Sequence, residues 1–442
     1  MSNSDTDRKI EVVKSLLKAI HRGESMEELK KRFGEVIAQI SPFEIPLIEQ
    51  QIVAEGIPID DILKLCDLHV ALFREYLAGR ELSGVPRGHP VDLFMRENEW
   101  VLKQAEALGL YSSMLLRVHS SEEAVGYLQG LLATAERLRV LRSHYRKIQM
   151  LVFPYLERRG IIAVPRVLWG REDQIVVKLR RFFEEARRVQ GSRSIEDIRR
   201  LGELGVDIAR DVSELVFREN KILLPATWAL FSEGEWSAIA KIADSMGWII
   251  DVKDREWSPR EKPVLPHELK VAIEPQQIEK LPPEFRDAAL KGGVKPDAYE
   301  IREEGDIDLE TGYLSIEEIR ELIKTLPLEI TYADKNDRVT FFSESKLGRR
   351  GFIRTKTILN RRVEFCHPPR LEKLVRSTID ELKAGRTSYR EYWTRIGDRI
   401  VRVLIAAVRN DKGEYLGAVE IVEDFTDVIN NVEEIKRKIM VL

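Results

Sequence analysis

Between residues 90 and 224, apolar side chains recur at helical spacing through four long stretches, 90–108, 121–159, 165–190 and 194–224, separated by short joints. This is the feature that most restricts the fold. A helix with an apolar stripe must bury it, and short joints force consecutive helices to run antiparallel, so the segment is expected to close into a helical bundle. A shorter helical pattern covers 234–246. The second stretch opens at Ser120/Ser121 with Glu122 and Glu123 in its first turn and stops at Gly160, the residue types that favour helix ends. The bundle also holds an internal echo. Gln149 to Pro154 and Asn220 to Pro225 share one pattern: an amide, any residue, three apolar residues, then proline. Each proline marks a point where a helix must bend or end, which suggests two related helix pairs.

Two differently textured regions flank this segment. Upstream, short helices are punctuated by Gly23, by a capping-box pattern at Ser25 and Glu28, by Ser41-Pro42 and by Gly56, and a fourth runs from about Asp60 to Gly79. Downstream, periodicity fades from about Asp251 to Asp308, where Pro259, Pro263, Pro266, Pro275, Pro282, Pro283 and Pro296 stand among dense charge; one short helix is expected near 284–291. After Ser315 the pattern turns mixed: helix 316–325, strands 328–333 and 338–343 about the turn Asp334–Asp337, helix 370–384, strands 387–396, 399–408 and 414–423, and a charged helix from 426. That is an α+β order. The domains are therefore drawn at 1–82 (helical), 88–250 (bundle), 251–312 (Pro-rich charged linker) and 313–442 (α+β with a C-terminal helix).

Composition narrows the function classes. One residue in three is charged, but 71 basic and 74 acidic side chains nearly cancel, which argues against a whole-chain nucleic-acid footprint and resembles the ion-pair-rich surfaces of thermophilic proteins. Cys66 and Cys366 fall in different domains, so a reducing compartment is expected. Neither a signal peptide nor a membrane-spanning run is present, and the cytoplasm is the expected location. Phosphate-loop and dinucleotide glycine motifs are absent, and the seven histidines pair with no nucleophile motif, so no enzymatic activity is expected.

Several words resemble known families. LEITYADKNDRVTFFSE (328–344), CHPPRLEKLVRSTIDELKAGR (366–386) and the stretch 397–428 look like the first hairpin, the connecting helix and the last strands of a PAS domain. Residues 47–77 resemble an uncharacterised helical domain that, in relatives, precedes a hemerythrin-like (HHE cation-binding) bundle and then a PAS domain. HYRKIQMLVFPYLERRGI (144–161) and FRENKILLP (217–225) look like the ligand-bearing helices of that bundle.

The resemblance implies inward histidines and carboxylates around two metal ions, and it assigns His89, His144, Glu172 and Glu219 to that role, with Glu97 as a further member. Ile148, Gln149 and Asn220 stand where acids belong in the family pattern, so the bundle is read mainly as a scaffold. Cys66 and His69, three apart, share a helix face and are read as packed core before metal or redox site. Cys366 and His367 sit at the PAS helix entry. They are candidate ligand-binding residues, with haem as one version and a helix-entry device as the other. The run 346–362 holds seven basic residues and no acid: Lys346, Arg349, Arg350, Arg354, Lys356, Arg361 and Arg362, with Phe352 available for stacking. It is read as a partner-binding segment or as a solvated connector.

The reading is of a PAS-containing sensor or regulator with a degenerate hemerythrin-like bundle, acting through ligand-dependent or constitutive protein contacts. A second reading is a binding factor that docks on an RNA-containing or acidic complex through the basic segment. A third is a metal-binding oxygen or iron sensor. A homodimer is expected; the PAS cavity either takes a small ligand or is empty and serves dimerisation alone, and iron or haem is an option not favoured.

Overall fold

The computed structural model describes residues 82–192, 194–269, 296–346 and 354–439, with isolated positions between 11 and 32. The N-terminal helices, Cys66, His69, Arg349, Arg350, Phe352 and the expected helix at 284–291 lie outside the described residues. The chain divides into two compact units, Met1–Glu300 and Ile301–Leu442. No described helix is long and apolar enough to cross a membrane.

In the first unit, α1 (Pro90–Leu115) starts at a His89 cap with proline in its first turn. An almost continuous helical rod follows: α2 (Ser121–Arg137), a short 3-10 turn, α3 (Leu141–Lys147), and α4 (Phe153–Arg158). Then come α5 (Ala163–Ser192), α6 (Ile195–Arg218), α7 (Leu224–Leu230) and α8 (Glu233–Met246). Helix α6 packs most extensively on α1, and also on α5, while α1 packs on α2. One contiguous apolar core fills the bundle, from Val91 and Phe94 on α1 to Trp236 and Ile239 on α8.

The sequence echo has a structural counterpart. Residues 148–152 and 219–223 are both wide π-turns, and each precedes a proline. In a regular helix, the ring of Pro154 or Pro225 would strike the carbonyl four residues back and leave it without a donor. In each wide turn the residue before the proline bonds five residues back instead of four: Phe153 N–H to Ile148 O, and Leu224 N–H to Glu219 O.

The start of the Pro-rich segment is part of this unit. Residues 251–269 form a strap across the bundle: Glu256 and Trp257 N–H both donate to Arg87 O at 3.0 Å, Val264 N–H to Gly234 O at 3.0 Å, and Tyr155 Oη–H to Val264 O at 2.8 Å. Two glycines make room for it. A Cβ on Gly88, which has φ +82°, would lie 2.8 Å from Arg255 Cα, and one on Gly234 would lie 2.9 Å from Lys262 O. Arg255 then fixes the strap by pairing with Asp244 (2.6 Å).

The second unit opens with a two-residue antiparallel ladder, β1 (Ile307–Asp308) with β2 (Tyr313–Leu314). Helix α9 (Ile316–Thr325) follows, with a full capping box between Ser315 and Glu318. Strands β3 (Glu329–Asp334), β4 (Val339–Phe342), β5 (Tyr389–Ile396), β6 (Arg399–Arg409) and β7 (Tyr415–Asp424) form an antiparallel sheet in the order β4-β3-β7-β6-β5. The first and last strands of this sheet in sequence order, β3 and β7, are thus paired, with β7 at its centre. Helix α10 (Glu372–Lys383) packs Val375, Ile379 and Leu382 against Ala418, Ile405 and Ala407. Short helices α11 (Thr426–Asn430) and α12 (Val432–Lys438) end the described chain.

Candidate functional site

The polar centre of the bundle is built by α1, α3, α5 and the π-turn after α6. His144 is fully buried. As an imidazolium it donates Nδ1–H to Glu97 Oε2 at 2.7 Å and Nε2–H to Glu219 Oε2 at 2.9 Å. Lys147, one helical turn on, is equally buried. Its ammonium lies 3.0 Å from Glu97 Oε1, donates to Gly247 O at 2.9 Å, and sits 5.3 Å from the centre of the Trp248 ring. Glu97 Oε1 also accepts from Ile249 N–H at 2.7 Å. Gln149 Nε2–H donates to Glu172 Oε2 at 2.6 Å, and Asn98 Nδ2–H to Asn220 Oδ1 at 2.9 Å. One oxygen on each of Glu172 and Glu219 is buried without a hydrogen-bond donor.

Burial alone would depress the His144 imidazole, but the Glu219 and Glu97 carboxylates outweigh it and hold its pKa up at about 9. Burial alone would raise Glu97; His144, Lys147 and the Ile249 amide together hold it below the usual carboxylate range. Glu172 is pushed up to about 8 by burial and by the charge of Glu219, partly offset by Gln149 and His144. The centre thus sets two acidic side chains, Glu97 and Glu219, against two basic ones, His144 and Lys147, beside the Glu172 carboxyl group that burial pushes up to about 8. Buried charges persist when they are paired in this way.

Three of the resemblance-derived residues, His144, Glu219 and Glu97, come together, and Glu172 lies near enough for the charges of Glu219 and His144 to act on it. His89 does not. Its Nδ1 accepts from Val91 N–H at 3.2 Å and caps α1, and its ring stands edge-on to Trp228, Trp236 and Trp257 at centroid distances of 4.8, 4.9 and 4.7 Å. Burial drives this imidazole down to about 3, so it is neutral. Lys147 is the member that the sequence reading missed. The signal was its spacing of three from His144, which puts both on one helix face.

A di-metal centre does not fit this donor set. Both nitrogens of His144 carry protons directed at carboxylates, whereas a metal-bound imidazole needs a lone pair. Ile148 is buried apolar core, and the amides of Gln149 and Asn220 are satisfied by Glu172 and Asn98. A divalent ion added to a centre already in charge balance would leave two uncompensated positive charges in the core. Among the described residues, no group of three or more His, Cys, Asp or Glu side chains stands ready to hold a metal ion.

In the PAS-like unit, the basic run divides. Arg354 is turned inward: its guanidinium donates to Glu329 Oε2 and Glu420 Oε1, both at 2.6 Å. Glu329 is fully buried and also accepts from Lys346 N–H at 3.0 Å and from the Ser345 hydroxyl. Assigning Arg354 to a partner-binding surface is thus corrected by its own ion pairs, which occupy it inside the fold. Lys346 donates to Lys324 O. Arg362 pairs with Glu364 at 2.5 Å, and Lys356 and Arg361 are exposed. At the helix entry, Cys366 is exposed, and burial of its sulfur outweighs nearby arginines to push the thiol up. His367 Nδ1–H donates to Val363 O at 3.0 Å, closing the turn before α10.

Comparison with known proteins finds three matching families along the chain. Residues 13–79 match a family of unknown function (DUF438), residues 89–227 the hemerythrin HHE cation binding domain, and residues 319–426 a PAS domain. No curated protein matches the chain. Among solved structures, the C-terminal domain of a Streptococcus mutans protein is 30% identical, over 28% of this chain and 96% of that one, with a TM-score of 0.27. The sensor region of a sensor histidine kinase is 17% identical, over 23% of this chain and 40% of that one, with a TM-score of 0.19. The chain thus joins, in that order, a region that matches this family of unknown function, a hemerythrin HHE domain and a PAS domain.

Proposed function

We propose that this chain is a non-enzymatic regulator that acts through protein contacts made by its PAS unit, beginning with self-association. The observation that carries this reading is the state of the helices flanking the sheet. Helix α9 is strongly amphipathic yet buries none of its side chains; Ile316 and Leu322 are exposed. Val428, Ile429, Val432 and Ile439 are exposed at the other end of the unit. Apolar helix faces of this kind are stabilised by a partner surface. The haem version draws no support from Cys366, whose thiol lies against Arg362 O at 3.8 Å and is pushed up, or from His367, whose Nδ1 is engaged by its own turn. The test is mass in solution by light scattering over a concentration series, with Leu322→Glu and Val432→Glu variants. A dimer that the variants dissociate supports the reading; a parent that stays monomeric at high concentration removes it.

The exposed Lys356 and Arg361 favour a second reading, docking on an acidic or RNA-containing complex through the basic segment. Recovery of the same partners by a protein with residues 349–362 neutralised would dismiss that segment as the docking site. The metal-sensor reading finds no support in the donor set of the bundle.

A further inference from the structure

The bundle centre holds a fully buried lysine, in a region that matches a family named for cation binding. A fully buried lysine is rare and persists only when its charge is matched. Lys147 has oxygen partners from two sources, the Glu97 carboxylate and the Gly247 carbonyl, and an aromatic face at Trp248. A hard cation uses the same set: a carboxylate oxygen, a backbone carbonyl oxygen and further donors around one point. The ammonium also reaches beyond the bundle rod, because Gly247 and Ile249 belong to the turn after α8 and both bond to this charge pair.

We propose that the ammonium of Lys147 is the resident cation of this hemerythrin-type core: it occupies a cation site formed by Glu97 and Gly247, excludes divalent metal from it, and fastens the turn after α8 to α1. The inference concerns the bundle alone and is independent of how the PAS unit acts. Truncating Lys147 leaves Glu97 and the Gly247 carbonyl facing a vacated space lined by oxygen, which suits manganese or a small alkylammonium ion.

The test uses the full chain. The parent protein is expected to hold substoichiometric metal by elemental analysis, and its melting temperature should be unmoved by EDTA or by manganese. Lys147→Ala should melt lower and should recover on adding manganese chloride or n-butylammonium, but not sodium chloride or n-butanol. Should Lys147→Ala fail to fold, Glu97→Gln/Lys147→Met removes both members of the pair and should fold without responding to either cation. A parent that carries stoichiometric metal and melts lower in EDTA would overturn the proposal. So would a Lys147→Ala protein that loses stability and recovers with neither cation, since that is the behaviour of a packing residue.

Discussion

The Gln149 side-chain amide donates to Glu172 Oε2 at 2.6 Å, and it is the donor that this buried carboxyl group has in the bundle core. Replacing Gln149 by alanine leaves a buried carboxyl without a donor, at a cost of about 1–3 kcal/mol. Gln149→Glu has a different signature: it sets a second acid against Glu172. Its destabilisation should be larger at pH 8 than at pH 5, because protonation of either acid relieves the repulsion. Urea titrations of both variants at the two pH values distinguish these outcomes; a Gln149→Glu penalty that does not change with pH contradicts the pairing.

The alkaline limb of the stability curve should belong to His144 and Glu172. His144 is raised from 6.5 to about 9, so its contribution is complete below about pH 6.5 and is lost as pH climbs through about 9. Glu172 is raised from 4.5 to about 8, so the stability linked to its proton is lost as pH rises through about 8. Both act in the same direction. Glu97, held below its ordinary value, acts in the other, and its contribution is lost as pH falls through the carboxylate range. The bundle should therefore lose melting temperature between about pH 6.5 and 9. A flat profile across that window would contradict the His144 geometry.

Arg354 should behave as a core residue although it lies in a basic run. Arg354→Ala strands Glu329 in the interior, and breaking a buried pair of this kind costs about 3–5 kcal/mol. Lys356→Ala and Arg361→Ala should stay within about 0.5 kcal/mol of the parent, as exposed substitutions do. The PAS transition in denaturant titrations reads all three; equal effects at the three positions would contradict the inward placement of Arg354.

The strap depends on its glycines. Gly88→Ala forces a side chain into positive φ and against the Arg255 backbone, with a cost of about 1–3 kcal/mol. Limited proteolysis should then cut within 251–269 faster than it does in the parent. A variant as resistant as the parent would show that the strap does not need the clearance.

Much of this architecture was legible in the sequence because it rests on local signals. The start at Ser120/Ser121 with Glu122 and Glu123 in its first turn is such a signal, and helix α9 falls on the stretch 316–325 where the pattern puts it. The proline echo located the two wide turns, although it did not reveal their form. The roles of single charges were not legible, because their partners are distant in sequence. Arg354 meets Glu329 and Glu420, 25 and 66 positions away, and Lys147 meets Glu97 and Gly247 from two other elements. The inward face of α3 was also hidden. Leu141, His144, Tyr145 and Lys147 are all buried, so a helix enclosed on most sides shows no polar stripe to orient it. His89 was misassigned for a related reason: its sequence neighbours gave no sign of Trp228, Trp236 and Trp257 closing around it.

The strap carries an optical consequence. Trp257 stands 4.7 Å from the neutral ring of His89, so its emission reports whether residues 251–269 are seated. With Trp257 replaced by phenylalanine as the reference, the difference spectrum isolates that one chromophore from the other six tryptophans of the chain. Lifting of the strap can then be timed by stopped-flow fluorescence while the bundle helices remain folded.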